Sequence, residues 1–262
     1  MEIYPNHAKR QLAAGGLAIG MGVRQARTID VAAIVKTCGY DWLFIDMEHS
    51  ALDLDTATQI AAAALPLAIT PIVRVPGKEH RHDAARVLDC GAQGVVVPHV
   101  DTAAEAERVV SHCRYPPAGR RSVAGGQPQF GFRSVPVGDM TRLANEETLV
   151  VVMLESPGAI ERADAIAAVP GIDVLLIGTN DLTTEMGIPG ELAGPRVEDA
   201  YRAVIAACRK HGKVPGMGGV YDPKLLERYV GLGIRFILAG NDLSFLMAGA
   251  RERASFVRGL KR

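Results

Sequence analysis

The sequence predicts a (β/α)₈ barrel, and three observations favour this fold. Eight short apolar runs alternate with segments of helical periodicity along the 262 residues, and no change in composition marks a domain boundary. Continuous apolar runs of this kind are typical of parallel strands that are buried on both faces. Several runs end in ionisable residues, as in barrels, where the carboxyl ends of the strands form the active-site face. We therefore expect one barrel domain over residues 1–262, with a doubly wound open sheet as the alternative fold.

The first half of the chain is regular. The predicted strands cover residues 17–21, 42–45, 71–75 and 94–97. Each strand is followed by a predicted helix, and these helices cover residues 28–37, 55–64, 82–90 and 103–113. Thr28 can cap the first of these helices, Gly39 ends it, and Gly91 ends the third. Four β–α units are therefore expected before the chain changes character.

The second half begins with a long connection at residues 115–137, which is rich in proline and glycine and carries arginine and glutamine. A connection of this length inside a compact domain is usually a functional loop or lid. A short helix is predicted after it, over residues 140–146. The remaining predicted strands are 149–154, 173–177, 214–217 and 235–238, and the remaining helices are 159–168, 195–211, 223–232 and 243–260.

Composition narrows the class of protein. Lys+Arg and Asp+Glu number 29 each, so the net charge of +0 gives no general attraction to nucleic acid or to an anionic membrane. The apolar run at 60–65 is too short to span a bilayer, and residues 1–10 lack the apolar core of a signal peptide. The four cysteines are Cys38, Cys90, Cys113 and Cys208, and no two form a C-x-x-C pair. This spacing favours reduced thiols and a cytoplasmic protein.

Glu155 and Asp181 are the first candidates for chemistry, because they are predicted to end neighbouring strands. Two close carboxylates repel each other unless a cation, a shared proton or a basic side chain lies between them. Carboxylate oxygens together with water and substrate oxygens suit Mg²⁺ or Mn²⁺. The structural alternative is that one carboxylate pairs with a lysine or caps a helix, and the Ser156-Pro157 pair is typical of a helix start. The shared position at the active-site face favours the metal.

His49 is the second candidate, and it follows Asp46 by three positions after the second strand. A histidine oriented by a carboxylate is the usual general base near neutral pH. A lone histidine is more often structural, but this one shares its predicted barrel face with Glu155 and Asp181. The shared face favours a catalytic base.

Arg74 ends the third strand, next to the second. A guanidinium at a barrel mouth needs an anion, and its planar fork matches a carboxylate. Arg74 is therefore a candidate for binding a substrate carboxylate, or else forms a structural ion pair with Asp46 or Asp89. Asp89 lies on the entry side of strand four, so a role at the end of the preceding helix explains it equally well.

Other groups give weaker signals. An enzyme that forms a Schiff base needs a lysine at the active-site face, and only Lys78, just past strand three, is placed to reach it. His80, His82 and His99 show no metal-ligand spacing and are expected at the surface or in loops. The glycines of 216–219 lie where many barrels bind phosphate, but tight turns explain them at least as well. A metal-dependent route to a carbanion is preferred over one through lysine.

Six short motifs, taken together, resemble those of the HpcH/HpaI aldolase family. In chain order they read DWLFIDMEH (41–49), VR (73–74), LDCGAQ (88–93), RYPPAG (114–119), LE (154–155) and IGTNDL (177–182). Each motif is weak alone, but six in order at matching strand ends are specific, and the resemblance extends over about residues 16–243. The family consists of metal-dependent class II pyruvate aldolases on a (β/α)₈ barrel.

The resemblance implies a carbon–carbon lyase of the aldehyde-lyase type. Its reaction would be the reversible cleavage of a 4-hydroxy-2-oxo acid to pyruvate, or a related 2-oxo acid, and an aldehyde. It implies Glu155 and Asp181 as the ligands of Mg²⁺ or Mn²⁺, with Co²⁺ or Zn²⁺ as other divalent ions. It also implies a homohexamer of paired trimers that exchange the last helix, whose apolar residues include Phe245, Leu246 and Phe256.

The resemblance also assigns roles to the other candidates. His49 would be the base, with Asp46 beside it. Arg74 would hold the pyruvate carboxylate and the developing enolate. Asp89 would tune the histidine indirectly, and Asn180 would contact the substrate through its backbone.

Two positions depart from the family pattern. Met153 stands where a glutamine is usual, two residues before the metal-binding glutamate, and Gly22 stands where a tryptophan is common. Both positions line the pyruvate pocket in the family, and methionine cannot donate the amide hydrogen bond. Gly22 has no side chain, so it is expected to leave open space in this pocket. A related enolate-forming lyase or synthase of the malyl or citrate type is therefore the alternative, and a non-catalytic binding barrel is a third hypothesis.

Overall fold

The computed structural model describes residues 3–77 and 81–260, and within them the strands form a closed barrel. Each strand pairs in parallel with its neighbour in the chain, and the last pairs with the first. The strands are β1 (Ala18–Val23), β2 (Trp42–Asp46), β3 (Thr70–Arg74), β4 (Gly94–Val97), β5 (Leu149–Leu154), β6 (Val174–Gly178), β7 (Val214–Gly218) and β8 (Phe236–Asn241). The predicted (β/α)₈ fold is confirmed, and the open sheet is wrong because β1 and β8 close the ring.

The helices surround this barrel. In the described ranges they are α1 (His7–Ala13), α2 (Asp30–Thr37), α3 (Leu54–Ala64), α4 (Arg81–Asp89), α5 (Ala103–Cys113), α6 (Val137–Glu147), α7 (Pro157–Glu161), α8 (Ala163–Ala167), α9 (Thr179–Glu185), α10 (Pro195–His211), α11 (Pro223–Leu232) and α12 (Asp242–Arg258).

Side chains from alternate strand positions fill the barrel interior, Ile72 and Val151 among them. At its centre the Trp42 ring stacks on Phe236, with ring centroids 4.1 Å apart and planes 13° from parallel. Gly20 makes room for the indole, since a Cβ at this position would lie 2.2 Å from the Trp42 ring. The interior is thus a packed core, and open space begins only above it, at the carboxyl ends of the strands.

A second apolar layer lies between the strands and the outer helices. Val150 and Val152 of β5 belong to it, whereas Val151 and Met153 of the same strand point into the barrel. Both faces of each strand are therefore buried. This explains why the strands appear in the sequence as continuous apolar runs rather than as alternating patterns.

Helix α1 covers the amino-terminal end of the barrel and was not predicted. The buried Asn6 caps it by accepting a hydrogen bond from Lys9 N at 2.9 Å. The Asn6 amide also donates to the carbonyl oxygens of Gln93 and Glu147, at 3.0 and 2.8 Å. Only Ala8 of α1 is buried, so the helix has no apolar periodicity that a sequence pattern would reveal.

Several predicted boundaries differ from the structure. The predicted helix 159–168 is two short helices, because Arg162 between them leaves the helical region at φ −98° and ψ 9°. Helix α9 was not predicted, and it begins where β6 ends. β8 continues three residues beyond its predicted end, to Asn241. Lys78 and His80 lie outside the described residues.

Helix α12 lies on the surface of the single chain. No residue of α12 is buried in this single chain, and Leu246 and Phe256 are 65% and 62% exposed. Among the described residues, no helix combines the length and apolar character needed to cross a membrane. The four cysteines are free thiols, with Cys38 and Cys90 exposed and Cys113 and Cys208 buried.

Candidate active site

The carboxyl ends of the strands open into a cleft of about 130 Å³. Because the strands are parallel and the ring is closed, side chains that follow different strands converge on it. It brings together most of the candidates proposed from the sequence. The cleft is lined by Gly22, Arg24, Phe44, Asp46, His49, Arg74, Met153, Leu176, Gly178, Thr179, Asn180, Asp181, Gly218, Gly219, Tyr221, Leu238 and Asn241.

Asp46 and Arg74 form a bidentate ion pair at the ends of β2 and β3. The two residues lie opposite each other in the pairing of these strands. Arg74 Nε donates to Asp46 Oδ1 at 2.9 Å, and Arg74 Nη2 donates to Asp46 Oδ2 at 2.7 Å. Burial opposes ionisation of Asp46, but its hydrogen bonds and charge interaction with Arg74 outweigh burial and lower its pKa. Arg74 Nη1 also lies 2.9 Å from Glu48 Oε2. The structural ion-pair alternative for Arg74 is therefore present, and its partner is Asp46 rather than Asp89.

His49 lines the cleft with a half-exposed ring. Its contact with Asp46 runs through the main chain, because His49 N donates to Asp46 Oδ1 at 3.1 Å. The carboxylate nearest to the imidazole is that of Glu48, whose Oε2 lies 3.8 Å from His49 Nε2. Asp46 thus shapes the turn that presents the histidine, and Glu48 is the carboxylate beside the ring.

Glu155 and Asp181 occupy the opposite side of the barrel mouth. Glu155 is 2% exposed, and burial raises its pKa to about 7, with the charges of Asp181 and Glu48 acting in the same direction. Gly178 leaves room for this carboxylate, since a Cβ there would lie 2.5 Å from Glu155 Oε1. A buried carboxylate next to two others is an arrangement that a bound cation would stabilise.

Glu155 and Asp181 offer carboxylate oxygens of the kind that a hard divalent metal ion prefers. Among the described residues, no group of three or more His, Cys, Asp or Glu side chains is arranged to hold a metal ion. Two carboxylates are nevertheless sufficient for Mg²⁺ or a similar hard cation, which keeps several waters and takes substrate oxygens as further ligands. Glu155 and Asp181 therefore fit such an ion.

His99 is exposed and lies in the loop after β4, as the sequence predicted, but it also contacts two carboxylates of the barrel mouth. Its main-chain N–H donates to Glu155 Oε2 at 2.8 Å, and its ring Nδ1 lies 3.3 Å from the same oxygen. Its Nε2 lies 3.6 Å from Glu48 Oε1, so the ring bridges two carboxylates. The backbone at His99 is left-handed, with φ +53°. Its position two residues after β4 was the available signal, because the other site residues also follow strands.

Arg24 and Tyr221 are further site residues that the sequence did not indicate. Arg24 directly follows β1, and its Nε lies 3.3 Å from Asp46 Oδ2. Tyr221 follows β7 and hydrogen-bonds Asn241 at the edge of the cleft. Neither belongs to a motif that signals chemistry by residue type and spacing, so only the closure of the barrel reveals their position.

Asp89 is the candidate that the structure does not bring to the cleft. It ends α4, at the amino-terminal side of β4, and so lies at the other end of the barrel. Its Oδ1 accepts hydrogen bonds from Arg121 Nη2 at 2.5 Å and from Gln127 Nε2 at 3.3 Å. Within the described chain it has no contact with His49, so the structure shows a local role in anchoring the long 115–137 connection.

The two departures from the family pattern both face the cleft. Met153 is 5% exposed and presents an apolar surface there. Gly22 does not leave the room that was expected, because a Cβ at Gly22 would lie 2.9 Å from Asn241 Cβ. Asn241 from β8 therefore occupies part of the space beside Gly22. Asn180 also lines the cleft.

Comparisons with known proteins indicate the family and support the fold. The sequence model of the family described as HpcH/HpaI aldolase/citrate lyase matches residues 24–248. The chain is 42% identical to the 4-hydroxy-4-methyl-2-oxoglutarate aldolase tasA of Hapsidospora irregularis, over all of this chain and 98% of that protein. It is 35% identical to a hydroxypyruvate/pyruvate aldolase of Pseudomonas aeruginosa, over 99% and 95% of the two chains. The crystal structure of an HpcH/HpaI aldolase from Desulfitobacterium hafniense superposes with a TM-score of 0.90 at 27% identity, covering 97% of each chain.

Proposed function

Because the chain belongs to the HpcH/HpaI aldolase/citrate lyase family and is a carbon–carbon lyase of the class II aldolase type, we propose the following substrate and the following roles for the residues of its cleft. The substrate is a 4-hydroxy-2-oxo acid, and the products are pyruvate, or a related 2-oxo acid, and an aldehyde or ketone. The observation that supports this assignment is the meeting of Glu155 and Asp181 with Arg74 and His49 at one barrel mouth. One barrel domain over residues 1–262 carries the whole site.

His49 is the general base of this proposal. Its half-exposed ring lines the cleft, so a neutral imidazole can take the proton of the C4 hydroxyl group. Loss of that proton lets the C4–O bond become a carbonyl as the C3–C4 bond breaks. The electron pair of the broken bond then moves to the C2 oxygen and gives an enolate.

Arg74 stabilises the developing negative charge, and the two carboxylates would contribute by holding a cation beside it. Arg74 is held rigidly by Asp46 and Glu48, so it presents its positive charge without reorganisation. Glu155 and Asp181 would hold Mg²⁺ or Mn²⁺, with Co²⁺ or Zn²⁺ as other divalent ions. When bound, such an ion supplies Lewis-acid stabilisation of negative charge on the C2 oxygen. Asn180 and Met153 complete the polar and apolar walls of the 2-oxo acid pocket.

The exposed apolar residues of α12 support a homo-oligomer, which we propose to be a hexamer in which the helix packs on a neighbouring subunit. Phe245, Leu246 and Phe256 are 45%, 65% and 62% exposed in the single chain. Large apolar side chains grouped on one helix mark an interaction surface. The free thiols and the balanced charge support a cytoplasmic enzyme whose partners are small molecules, with no role for nucleic acid or a membrane.

A synthase or lyase of the malyl or citrate type is the second candidate, and Met153 is the observation that favours it. Methionine presents no hydrogen-bond donor to a pyruvate oxygen. If the enzyme used a different 2-oxo acid in place of pyruvate, the base, the arginine and the carboxylate pair would keep the same roles.

The experiment that tests the proposal is pyruvate release from a panel of 4-hydroxy-2-oxo acids, measured with and without EDTA. We expect release that EDTA removes and that added Mg²⁺ or Mn²⁺ restores. Turnover of malyl-type or citrate-type substrates without cleavage of any 4-hydroxy-2-oxo acid would favour the second candidate. Full activity in EDTA would contradict the metal assignment.

A further inference from the structure

Arg24 is a cation of the cleft that neither the carboxylate pair nor the base requires. It follows β1 directly and lines the cleft near Tyr221 and Asn241. Its side chain is 36% exposed, compared with 8% for that of Arg74. A ligand in the cleft can therefore reach the Arg24 guanidinium.

The two arginines of the cleft differ in how far protein carboxylates already neutralise them. Arg74 makes two hydrogen bonds to Asp46 and a third contact to Glu48. Arg24 approaches a carboxylate once, where its Nε lies 3.3 Å from Asp46 Oδ2. Its Nε and Nη2 donate to the carbonyl oxygen of His49 at 3.2 and 2.5 Å, and its Nη1 has no hydrogen-bond partner among the described residues. A guanidinium with donors left over can bind a carboxylate.

The backbone that carries Arg24 is fixed in place. The main-chain N–H groups of Arg24, Gln25 and Ala26 all donate to the Asp242 carboxylate, with N–O distances to Oδ2 of 3.0, 2.8 and 2.8 Å. Asp242 begins α12, so the loop after β1 is tied to the helix after β8. The guanidinium is thereby positioned before a ligand arrives, which lowers the entropy cost of binding.

The order of strands around the ring shows which part of a substrate meets Arg24. In a closed ring of eight strands, β1 lies opposite β5, the strand that Glu155 follows. His49 follows β2, the neighbour of β1. A substrate with its 2-oxo acid end at Glu155 and Asp181 and its C4 hydroxyl at His49 therefore directs its C4 substituent towards Arg24.

From this geometry, and resting on the proposed function, we propose that Arg24 binds a second carboxylate carried on C4 of the substrate. The preferred substrates are then dicarboxylic 4-hydroxy-2-oxo acids, whose second cleavage product is itself a 2-oxo acid. A residue that pairs with a substrate charge discriminates strongly against analogues that lack the charge, because the cation is then left without its partner.

The test compares two substrates that differ only at C4. 4-Hydroxy-2-oxoglutarate carries the second carboxylate, and 4-hydroxy-2-oxopentanoate carries a methyl group in its place. Both release pyruvate, so kcat/KM is measured for each with the same coupled assay. We expect the wild-type enzyme to prefer the dicarboxylate, and Arg24→Gln to lower the dicarboxylate-to-methyl ratio of kcat/KM about 10- to 100-fold. Arg24→Lys, which keeps the charge but not the fork, should retain part of the preference.

Arg27→Gln is the matched control, because Arg27 lies in the same loop and donates to the carbonyl oxygen of Ala51 rather than lining the cleft. Its substrate ratio should equal that of the wild type. The inference is overturned if the wild-type enzyme shows no preference for the dicarboxylate, or if Arg24→Gln lowers both kcat/KM values by the same factor. Release of pyruvate from neither substrate in the presence of Mg²⁺ or Mn²⁺ would instead remove the proposed function and this inference with it.

Discussion

At the scale of single residues, the two sides of the cleft carry different charge. On the β2–β3 side, Arg74 neutralises Asp46 and lowers its pKa despite burial. On the β5–β6 side, burial raises the pKa of Glu155 to about 7, and the neighbouring Asp181 charge adds to the effect. A carboxylate in that state stays ionised at lower pH only if positive charge is added nearby. This asymmetry supports the proposal that Glu155 and Asp181, and not Asp46, would hold a divalent cation.

The first prediction concerns these two carboxylates. Glu155→Gln and Asp181→Asn should each abolish activity and the binding of Mn²⁺, measured by titration calorimetry, because each removes a charged oxygen ligand. Glu155→Gln should still fold, since an amide replaces a buried carboxyl group of similar shape. Glu161→Gln, on the exposed surface of α7, is the control and should bind Mn²⁺ normally. Retained Mn²⁺ affinity in either site variant would place the ion elsewhere.

The second prediction concerns the base. His49→Ala should lower kcat by about 10²–10⁴, the usual cost of losing a general base. Its affinity for Mn²⁺ should change little, because the proposed ligands lie across the cleft. His211→Ala, a histidine that contacts Asp164 on the outer helices, should behave as the wild type. Wild-type cleavage by His49→Ala, or loss of metal from it, would show that another group is the base.

At the scale of elements, the turns after the strands decide where the functional side chains point. Asp46 accepts hydrogen bonds from the main-chain N–H groups of Glu48 and His49, both at 3.1 Å, and so shapes the turn after β2. Asp242 does the same for the loop after β1. In each case one carboxylate satisfies several backbone donors that a turn leaves without partners. These side-chain hydrogen bonds to the backbone thereby hold the loops that carry the site.

The third prediction tests the loop after β1. Asp242→Ala should lower the free energy of unfolding by about 1–3 kcal/mol, because three main-chain donors lose a charged acceptor. The same change should reduce kcat/KM, since Arg24 loses its fixed position. Urea unfolding and steady-state kinetics measure the two effects, and Glu107→Ala on the exposed face of α5 serves as the control. An unchanged unfolding midpoint would show that the loop holds its conformation without Asp242.

At the scale of the whole molecule, one helix lacks the burial that the others have. Helices α2, α3, α5 and α10 each bury residues against the barrel, whereas α12 buries none in the single chain. A helix of 17 residues gains most of its stability from packing an apolar face. The apolar side chains of α12 are therefore available for a partner, which we propose to be a second copy of the chain.

The fourth prediction follows from this helix. Sedimentation analysis at micromolar concentration should give a particle of six times the 27.9 kDa chain mass. Phe256→Asp should reduce the particle size, because a charge would enter the apolar contact. Arg253→Gln changes the charge of the same helix without removing apolar surface, and it should assemble normally. A wild-type monomer would contradict the proposed assembly.

The fifth prediction concerns the thiols. Burial raises the pKa of Cys113 and of Cys208 to about 12, so both stay protonated and unreactive at pH 8. A thiol reagent should modify Cys38 and Cys90 rapidly in the folded protein and reach the other two only after unfolding. Mass spectrometry of the modified peptides measures the order. Rapid modification of Cys113 in the folded state would show that the outer layer opens more readily than the packed structure implies.

The sequence by itself determined the barrel, because the alternation of apolar runs and helical segments is a local property of the chain. It also placed Asp46, His49, Arg74, Glu155 and Asp181 at strand ends, and the confirmed fold brings those ends together. Family membership and the aldolase type of chemistry were confirmed by the similarity of the whole chain to known aldolases. These features depend on residue order and short-range periodicity, which one sequence contains in full.

The tertiary structure alone decided the contacts across the barrel mouth. It placed His99 between Glu48 and Glu155. It also paired Asp89 with Arg121, at the end of the barrel where the sequence had already placed Asp89. It set Arg24 beside His49 through a loop held by Asp242, which lies more than two hundred residues later in the chain. Such contacts arise when the ring closes and brings β1 against β8. Their physical cause is long-range packing, and no local pattern in the sequence records it.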